Sequence, residues 1–536
     1  MVGTNRRAIR AVALVAGAGV ALALVPGGVA TAAPATQACD NRTNATVQAL
    51  LTCVNAAGAV EHLEAFQAIA DANGDNRAAG TQGYEDSVEY VVDTLEAAGW
   101  EVSIDEFPFT YVGPSTLRQL TPVTATYPTG PFTGTGYGEV TGTVIPVDIN
   151  LTGDRATTSG CEAADFAGLD FSGDNDIALI QRGGPVTPVC SFGIKALNAE
   201  AAGAEAVIIF NQGNTPDREA LIVGTLGGPD VVDIPVVGAS FAQGVALAQA
   251  GSTAYVKVPN PESRPQKNVI AELPGFNDDN VVMAGAHLDS VPAGPGINDN
   301  GSGSAALLEI AQNMSKNKPQ NTVRLAWWGA EEAGLLGSRA YVDGLSQAEK
   351  DRIALYLNFD MVASPNYIFM IYDGDESGFD APVVVPDGSV AIEDLFESYF
   401  TKVGQPYDDA EFSGRSDYQA FIQAGIPAGG LFTGAEVVKN QEQEDIWGGV
   451  AGESFDQCYH QACDDIDNVN LEAYDVNIDA IALAVLAYSY STQAVNGVSG
   501  VPVPGGLKLP APAGPEKSWS SGGGGLAHDH DHAVSS

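Results

Sequence analysis

The chain has 536 residues, 45% apolar and 17% charged, which suits several packed units and argues against wholesale disorder. Its 24 Lys and Arg stand against 67 Asp and Glu, a formal net charge of −43. A field of that sign repels phosphate backbones and anionic lipid, so nucleic acid and membrane surfaces are poor partners, while metal ions and protonated amines are attracted.

Arg6, Arg7 and Arg10 precede an apolar run over 11–25. That run is shorter than the roughly 20 residues a membrane-spanning helix needs. Small residues follow at Ala30-Thr31-Ala32-Ala33, so 1–33 reads as a secretory signal peptide and the mature chain as secreted and extracellular. No later apolar run has membrane length. Six cysteines follow, and an even count in an exported chain predicts disulfides. Sequence leaves the connectivity open. Clustering favours Cys39–Cys53, Cys161–Cys190 and Cys458–Cys463.

Residues 34–110 form a first segment. Ala65, Ile69, Val88, Val91, Val92 and Leu95 recur at helical spacing over 56–100, and Gly99 is a plausible stop. Residues 101–110 alternate like a strand. Over 111–261 the texture shifts to Gly, Thr, Pro and Val, with short runs at 177–180, 206–210 and 234–238. This reads as a separate, mainly β domain. A second segment spans 262–495. Its apolar runs Val281–Ala286, Val323–Trp328 and Ile353–Phe359 are separated by helical stretches, the pattern of an α/β fold with a largely parallel central sheet flanked by helices. Residues 471–492 have helical spacing and close the domain. From 496 to 536 Pro, Gly and Ser dominate, with a GGGG run and HDHDH at 528–532, and the stretch reads as a disordered tail. A metal-binding role for HDHDH is the weaker alternative to a solvated tail.

The chemistry gathers at the predicted strand ends, where open α/β sheets bind ligands. The first run ends in GAHLDS, with His287 and Asp289, and GINDNGSG with Asp299 follows. The second ends in WWGAEEAG, with Glu331 and Glu332, and the third in NFDM, with Asp360. His460 lies in CYHQACD. Any one of these alone would more often be structural. Acids at three strand ends are costly unless paired or metal-bound. Two histidines and three carboxylates suit two zinc ions, one acid bridging and a His–acid pair for each metal. The adjacent Glu331-Glu332 pair then supplies one ligand and one free base.

MAGAHLDSV, GINDNGSGSAA, AWWGAEEAGLLGS, YLNFDM, GRSDYQAF, GGLFTGA and CYHQACD together resemble the motifs of the secreted bacterial double-zinc leucyl aminopeptidases. The resemblance covers about 56–110 and 268–490. Residues 111–261 resemble a protease-associated domain, through CEAADFAG, ALIQRGG and CSFGIKALNAEAAGAEAVIIFN. This insert precedes the first metal ligand, whereas related two-zinc carboxypeptidases and deacylases carry a lid between ligands. The resemblance implies a zinc-peptidase-like fold with His287 and Asp360 on one zinc, Glu332 and His460 on the other, and Asp299 bridging. It implies Asp289 orienting His287, a cis peptide after Asp299, and Glu331 as the base that moves a proton from water to the leaving amine. Tyr459 would donate to the oxyanion, and Arg415 would lie near the substrate's free amine. Met361 and Phe432 would line the side-chain pocket or belong to the core. Asp475 and Asp479, spaced i, i+4, offer a calcium pair or a solvated helix face as equal alternatives. The expected substrates are peptide and protein N-termini with leucine-like first residues, and the expected state is a monomer. Two rivals remain: a two-zinc carboxypeptidase or amide deacylase, and a binding protein on a peptidase fold that has lost its activity.

Overall fold

The computed structural model describes residues 39, 42–184 and 189–519. The expected signal peptide and the HDHDH run lie outside the described residues. Helices Ala56–Ala72 and Gln82–Ala98 begin at Asn55 and Thr81, whose side chains accept from Gly58 N and Tyr84 N. The helical spacing over 56–100 is thus carried by two helices. The break falls at Gly74 and Asp75, both at positive φ, where the chain turns to insert Arg77 into the interior.

Eight strands form the main sheet: β1 (Glu101–Tyr111), β9 (Glu262–Leu273), β10 (Asn277–His287), β11 (Asn321–Trp328), β12 (Ile353–Phe359), β13 (Met370–Tyr372), β14 (Asp408–Ala410) and β15 (Ala428–Phe432). Their order is β1-β9-β11-β10-β12-β15-β13-β14. The central strands β11, β10, β12 and β15 are mutually parallel, and β1 and β9 pair antiparallel at one edge. The three apolar runs become β10, β11 and β12. Ile353–Phe359 is buried at every residue, as a strand covered on both faces by helices requires. The α/β reading with a mixed, largely parallel sheet holds. Helix Leu471–Tyr490 packs its Ala- and Leu-rich surface into the same core.

The chain leaves this sheet at Tyr111 and re-enters at Glu262, which are cross-strand partners. Between them lies a seven-stranded sheet made of β2 (Thr116–Thr121), β3 (Ala125–Tyr127), β4 (Gly138–Val147), β5 (Asp176–Gln181), β6 (Ala206–Phe210), β7 (Val236–Ala239) and β8 (Thr253–Val258). Strict alternation gives it two cores. Ala178, Ile180, Val207 and Ile209 pack on helix Phe192–Ala202, while Ile177, Leu179, Ile208 and Phe210 pack toward helix Phe241–Leu247. Cys161–Cys190 and Cys458–Cys463 are bridged, Cys39 and Cys53 also carry disulfide bonds, and no described cysteine is free.

The tail reading needs correction for 497–519. Ser518 N donates to Asp408 at 2.9 Å, Lys517 N to the same carboxylate at 3.1 Å, Glu516 N to Tyr407 O at 2.9 Å and Gly514 N to the Tyr407 hydroxyl at 2.8 Å. Pro and Gly exclude helix and strand here, but an extended backbone still docks when buried groups need its N–H donors. Asp408 is such a group.

Beside β13 and β14 sits an acidic cluster of Asp373, Asp375, Glu393, Glu397 and Asp409. Burial, then Asp375 and Asp373, pushes Glu393 up to about 9, and burial raises Glu397 and Asp409 to about 7.

Two outcomes are expected. Because the insert's ends are paired, replacing 112–261 by a short Gly/Ser turn should leave a main domain that melts in one cooperative transition. Calorimetry of the shortened chain checks this, and loss of the transition would show that the insert completes the core. The acidic cluster should make stability fall as pH rises. A folded-state value above the unfolded carboxylate value near 4.3 stabilises fully below that value and is lost as pH climbs toward 9. Glu393→Gln should flatten the decline of melting temperature between pH 5 and 9.

Candidate metal centre

Each site residue follows a parallel strand or a loop pinned to one. His287 ends β10, Glu331 and Glu332 follow β11 by a two-residue turn, and Asp360 follows β12 directly. Ala330, Met361 and His460 all hold positive φ, so three ligand-bearing turns carry left-handed non-glycine residues. Such backbone persists only where surroundings fix it, and it clusters at functional sites.

The structure brings the five expected ligands together. His287 Nε2 lies 3.2 Å from Asp299 Oδ1 and 3.4 Å from Asp360 Oδ1. His460 Nε2 lies 3.3 Å from Asp299 Oδ2 and 3.0 Å from Glu332 Oε2. Asp299 thus turns one oxygen to each imidazole. Glu331 is more distant, with Oε2 3.9 Å from His287 Nε2. The bond after Asp299 is cis.

Supporting groups fix these donors. His287 Nδ1 donates to the backbone carbonyl of Asp289 at 3.0 Å, which fixes the ring and turns Nε2 toward the acids. The carboxylate of Asp289 is 3.7 Å away and instead accepts from Glu331 N at 3.1 Å and Glu332 N at 3.3 Å. Asp289 therefore holds the glutamate turn with its side chain and His287 with its carbonyl. Ser416 Oγ donates to Asp360 Oδ2 at 2.6 Å. Arg415 Nη1 meets Glu436 at 2.8 Å, and its Nη2 donates to the Tyr459 hydroxyl at 3.3 Å. Tyr459 stacks on the His460 ring at 3.8 Å. Met361 and Phe432 line the cavity that holds the five expected ligands, a space of about 120 Å³.

Several contributors escaped the sequence reading. Arg77, fully buried, donates from Nε to Pro295 O at 2.9 Å and from Nη2 to Gly296 O at 2.7 Å, and Nη1 bonds Leu288 O. Asp464 accepts from Asn298 N at 2.8 Å and Asp299 N at 3.0 Å. Together they clamp the Asp299 loop from both sides. Asp464 was visible in CYHQACD; a lone Arg in a helix break carried no signal. Asp417, beside Ser416, is buried near Asp360. The Asp475–Asp479 pair lies elsewhere: Asp475 accepts from Ala56 N at 3.0 Å at the start of helix Ala56–Ala72, and the pair joins no cluster of three metal-ligating side chains among the described residues.

The electrostatics fit cations. Burial pushes Glu332 and Asp417 up to about 7 and Glu331 well above the usual carboxylate range. Burial also works against Asp299, but hydrogen bonds from both histidines outweigh it and hold it below that range. Glu332 Oε1 and Asp360 Oδ1 are buried with no hydrogen-bond partner among the described residues. An unsatisfied buried carboxylate oxygen is expensive, and a divalent ion bound by His and acid donors relieves it. His287, Glu331 and Asp360 form one such donor group and Asp299, Glu332 and His460 the other.

Comparisons with known proteins agree with this geometry. Residues 268–485 match the model of peptidase family M28, and 140–247 match that of the PA domain. An aminopeptidase of Pseudomonas aeruginosa is 48% identical over 453 residues, covering 83% of each chain. A probable leucine aminopeptidase 2 of Aspergillus fumigatus is 41% identical over 430 residues, covering 78% of this chain and 80% of its own. A solved zinc aminopeptidase of Bacillus subtilis superposes with TM-score 0.57 at 26% identity, over 81% of this chain and 94% of its own.

The Arg77 clamp yields a prediction. Arg77→Met removes a buried cation and leaves three loop carbonyls short of a donor, at a cost of roughly 3–5 kcal/mol. Arg77→Lys keeps the charge but loses the planar fork, so it should retain the fold and hold metal more weakly. Melting curves and metal retention on dialysis, measured on both variants, separate the two effects.

Proposed function

This chain belongs to peptidase family M28 and carries a PA domain, and from that premise we propose that it is a secreted two-zinc aminopeptidase with a preference for leucine-like first residues. The broader class follows from membership and relatives: a zinc metallopeptidase of aminopeptidase type, hydrolysing peptide bonds. The observation that carries the finer reading is Asp299, one oxygen to each imidazole at 3.2 and 3.3 Å, with a second carboxylate beside each histidine.

In this reading His287 and Asp360 hold one zinc, Glu332 and His460 the other, and Asp299 both. Zinc, when bound, polarises the scissile carbonyl and makes water more acidic. The remaining work falls to side chains. Glu331, outside the closest ligand contacts and raised by burial, accepts a proton from the attacking water and returns it to the leaving amine. Tyr459 donates to the developing oxyanion, kept in place by Arg415 and by stacking on His460. The acidic walls of the cavity attract the substrate's free ammonium group. Met361 and Phe432 put apolar side chains on the wall of the same cavity, which suits an aliphatic first residue.

Secretion is supported by the bridged cysteines, which persist in oxidising compartments. No helix among the described residues is long and apolar enough to cross a membrane. The peptide-substrate reading includes a monomeric enzyme acting on peptide and protein N-termini.

The test is Glu331→Gln. It keeps size and polarity but accepts no proton, so kcat on leucine anilide should fall by about 10²–10⁴ with two zinc ions per chain retained. Metal analysis alongside kinetics decides the assignment. Loss of zinc with an unchanged rate per bound ion would make Glu331 a ligand. An N-acetylated leucine anilide should not be turned over, and its hydrolysis would favour a deacylase.

A further inference from the structure

The cavity that holds the five ligands has a wall from far along the chain: Trp519 lines it together with Met361, Phe432 and Phe455. The Trp519 and Phe455 rings meet edge to face, with centroids 6.0 Å apart at 72°. The indole N–H is buried and has no hydrogen-bond partner among the described residues, so packing and the preceding backbone, not its polar end, position this ring.

That backbone is firmly held. Ser518 Oγ and N both bond Asp408 Oδ2, Lys517 N bonds Asp408 Oδ1, Ser518 O accepts from Asn440 at 3.3 Å, and Ser518 Oγ accepts from Gln443 at 3.1 Å. Lys517 takes a left-handed φ of 57°. A non-glycine residue adopts that conformation at a cost, and here it turns the chain so that the next two residues face Asp408 and Phe455. Asp408 is buried, and apart from Asp409 N these three donors make the only hydrogen bonds to its carboxylate among those described. The segment therefore satisfies a buried acid of β14 and at the same step delivers an aromatic ring to the cavity.

We propose that Trp519 is a specificity-determining residue: its ring closes the side-chain pocket and limits the size of the N-terminal residue that the enzyme accepts. This rests on the aminopeptidase reading above, in which that cavity receives the first side chain. One methylene of misfit in an apolar pocket is worth about 10–200-fold in selectivity. Removing an indole should therefore shift preference well beyond the scatter of an assay.

The experiment compares zinc-loaded wild type, Trp519→Ala and Trp519→Phe on alanine, leucine, phenylalanine and tryptophan anilides. Trp519→Ala should raise kcat/KM for the tryptophan and phenylalanine substrates relative to leucine by at least about 10-fold, mainly through KM, with Trp519→Phe intermediate. A second readout needs no turnover. Free leucine should change tryptophan emission in the wild type, and the change should be lost in Trp519→Phe, which preserves packing if the alanine variant does not fold. Unchanged selectivity ratios in a variant that still turns over leucine anilide overturn this proposal and leave the aminopeptidase reading intact. A wild type that turns over none of the four anilides overturns both.

Discussion

Asp299 faces two imidazoles at once, and much of the main domain can be read as the means of keeping it there. Its carboxylate is buried, both oxygens are committed, and neighbouring acids crowd the same space. Like charges so close in a low dielectric repel strongly unless cations intervene. Parallel strands answer the geometric half of the problem, since β10, β11 and β12 end on one side and release their next residues into one cavity. Metal chemistry answers the electrostatic half.

Holding the centre then falls to groups that never face a substrate. Arg77 and Asp464 grip the Asp299 loop by its carbonyls and its N–H groups respectively, and Asp289 grips the glutamate turn. Each contact is a buried side chain on backbone, and those of the Arg77 guanidinium belong to the stronger, charge-assisted class of hydrogen bond. The left-handed residues Ala330, Met361 and His460 sit at the turns these contacts support, so local strain and its restraint are found together.

The sequence made the chemistry more legible than its scaffolding. His287, Asp299, Glu332, Asp360 and His460 stand out because acids and histidines at the ends of apolar runs have few structural uses. The strands were legible for a similar reason: Ile353–Phe359 is apolar except for Asn358, and a short run of that kind suits a strand covered on both faces. Arg77 was not legible, because its partners are carbonyls, and carbonyls leave no trace in a sequence. The contact of Asp289 with His287 is hidden for a related reason: it is made by a main-chain atom. The segment 497–519 was misread because composition reports propensity for helix or strand, whereas this stretch is ordered by donors to Asp408 and Tyr407.

The pairing of Tyr111 with Glu262 has a consequence for how the chain reaches this state. To join β1 to β9 an unfolded chain must close a loop of about 150 residues, at an entropic cost that grows with the logarithm of loop length. An insert that folds first brings its own ends side by side and shortens the effective loop to a few residues. The difference is about 3 kcal/mol of closure free energy by that scaling. The insert then acts as a clamp on the nascent ladder, and the order of events matters: early folding of the seven-stranded sheet speeds pairing of the edge, while a slow insert delays it. A domain attached at one end of the peptidase would have no such hold on its assembly.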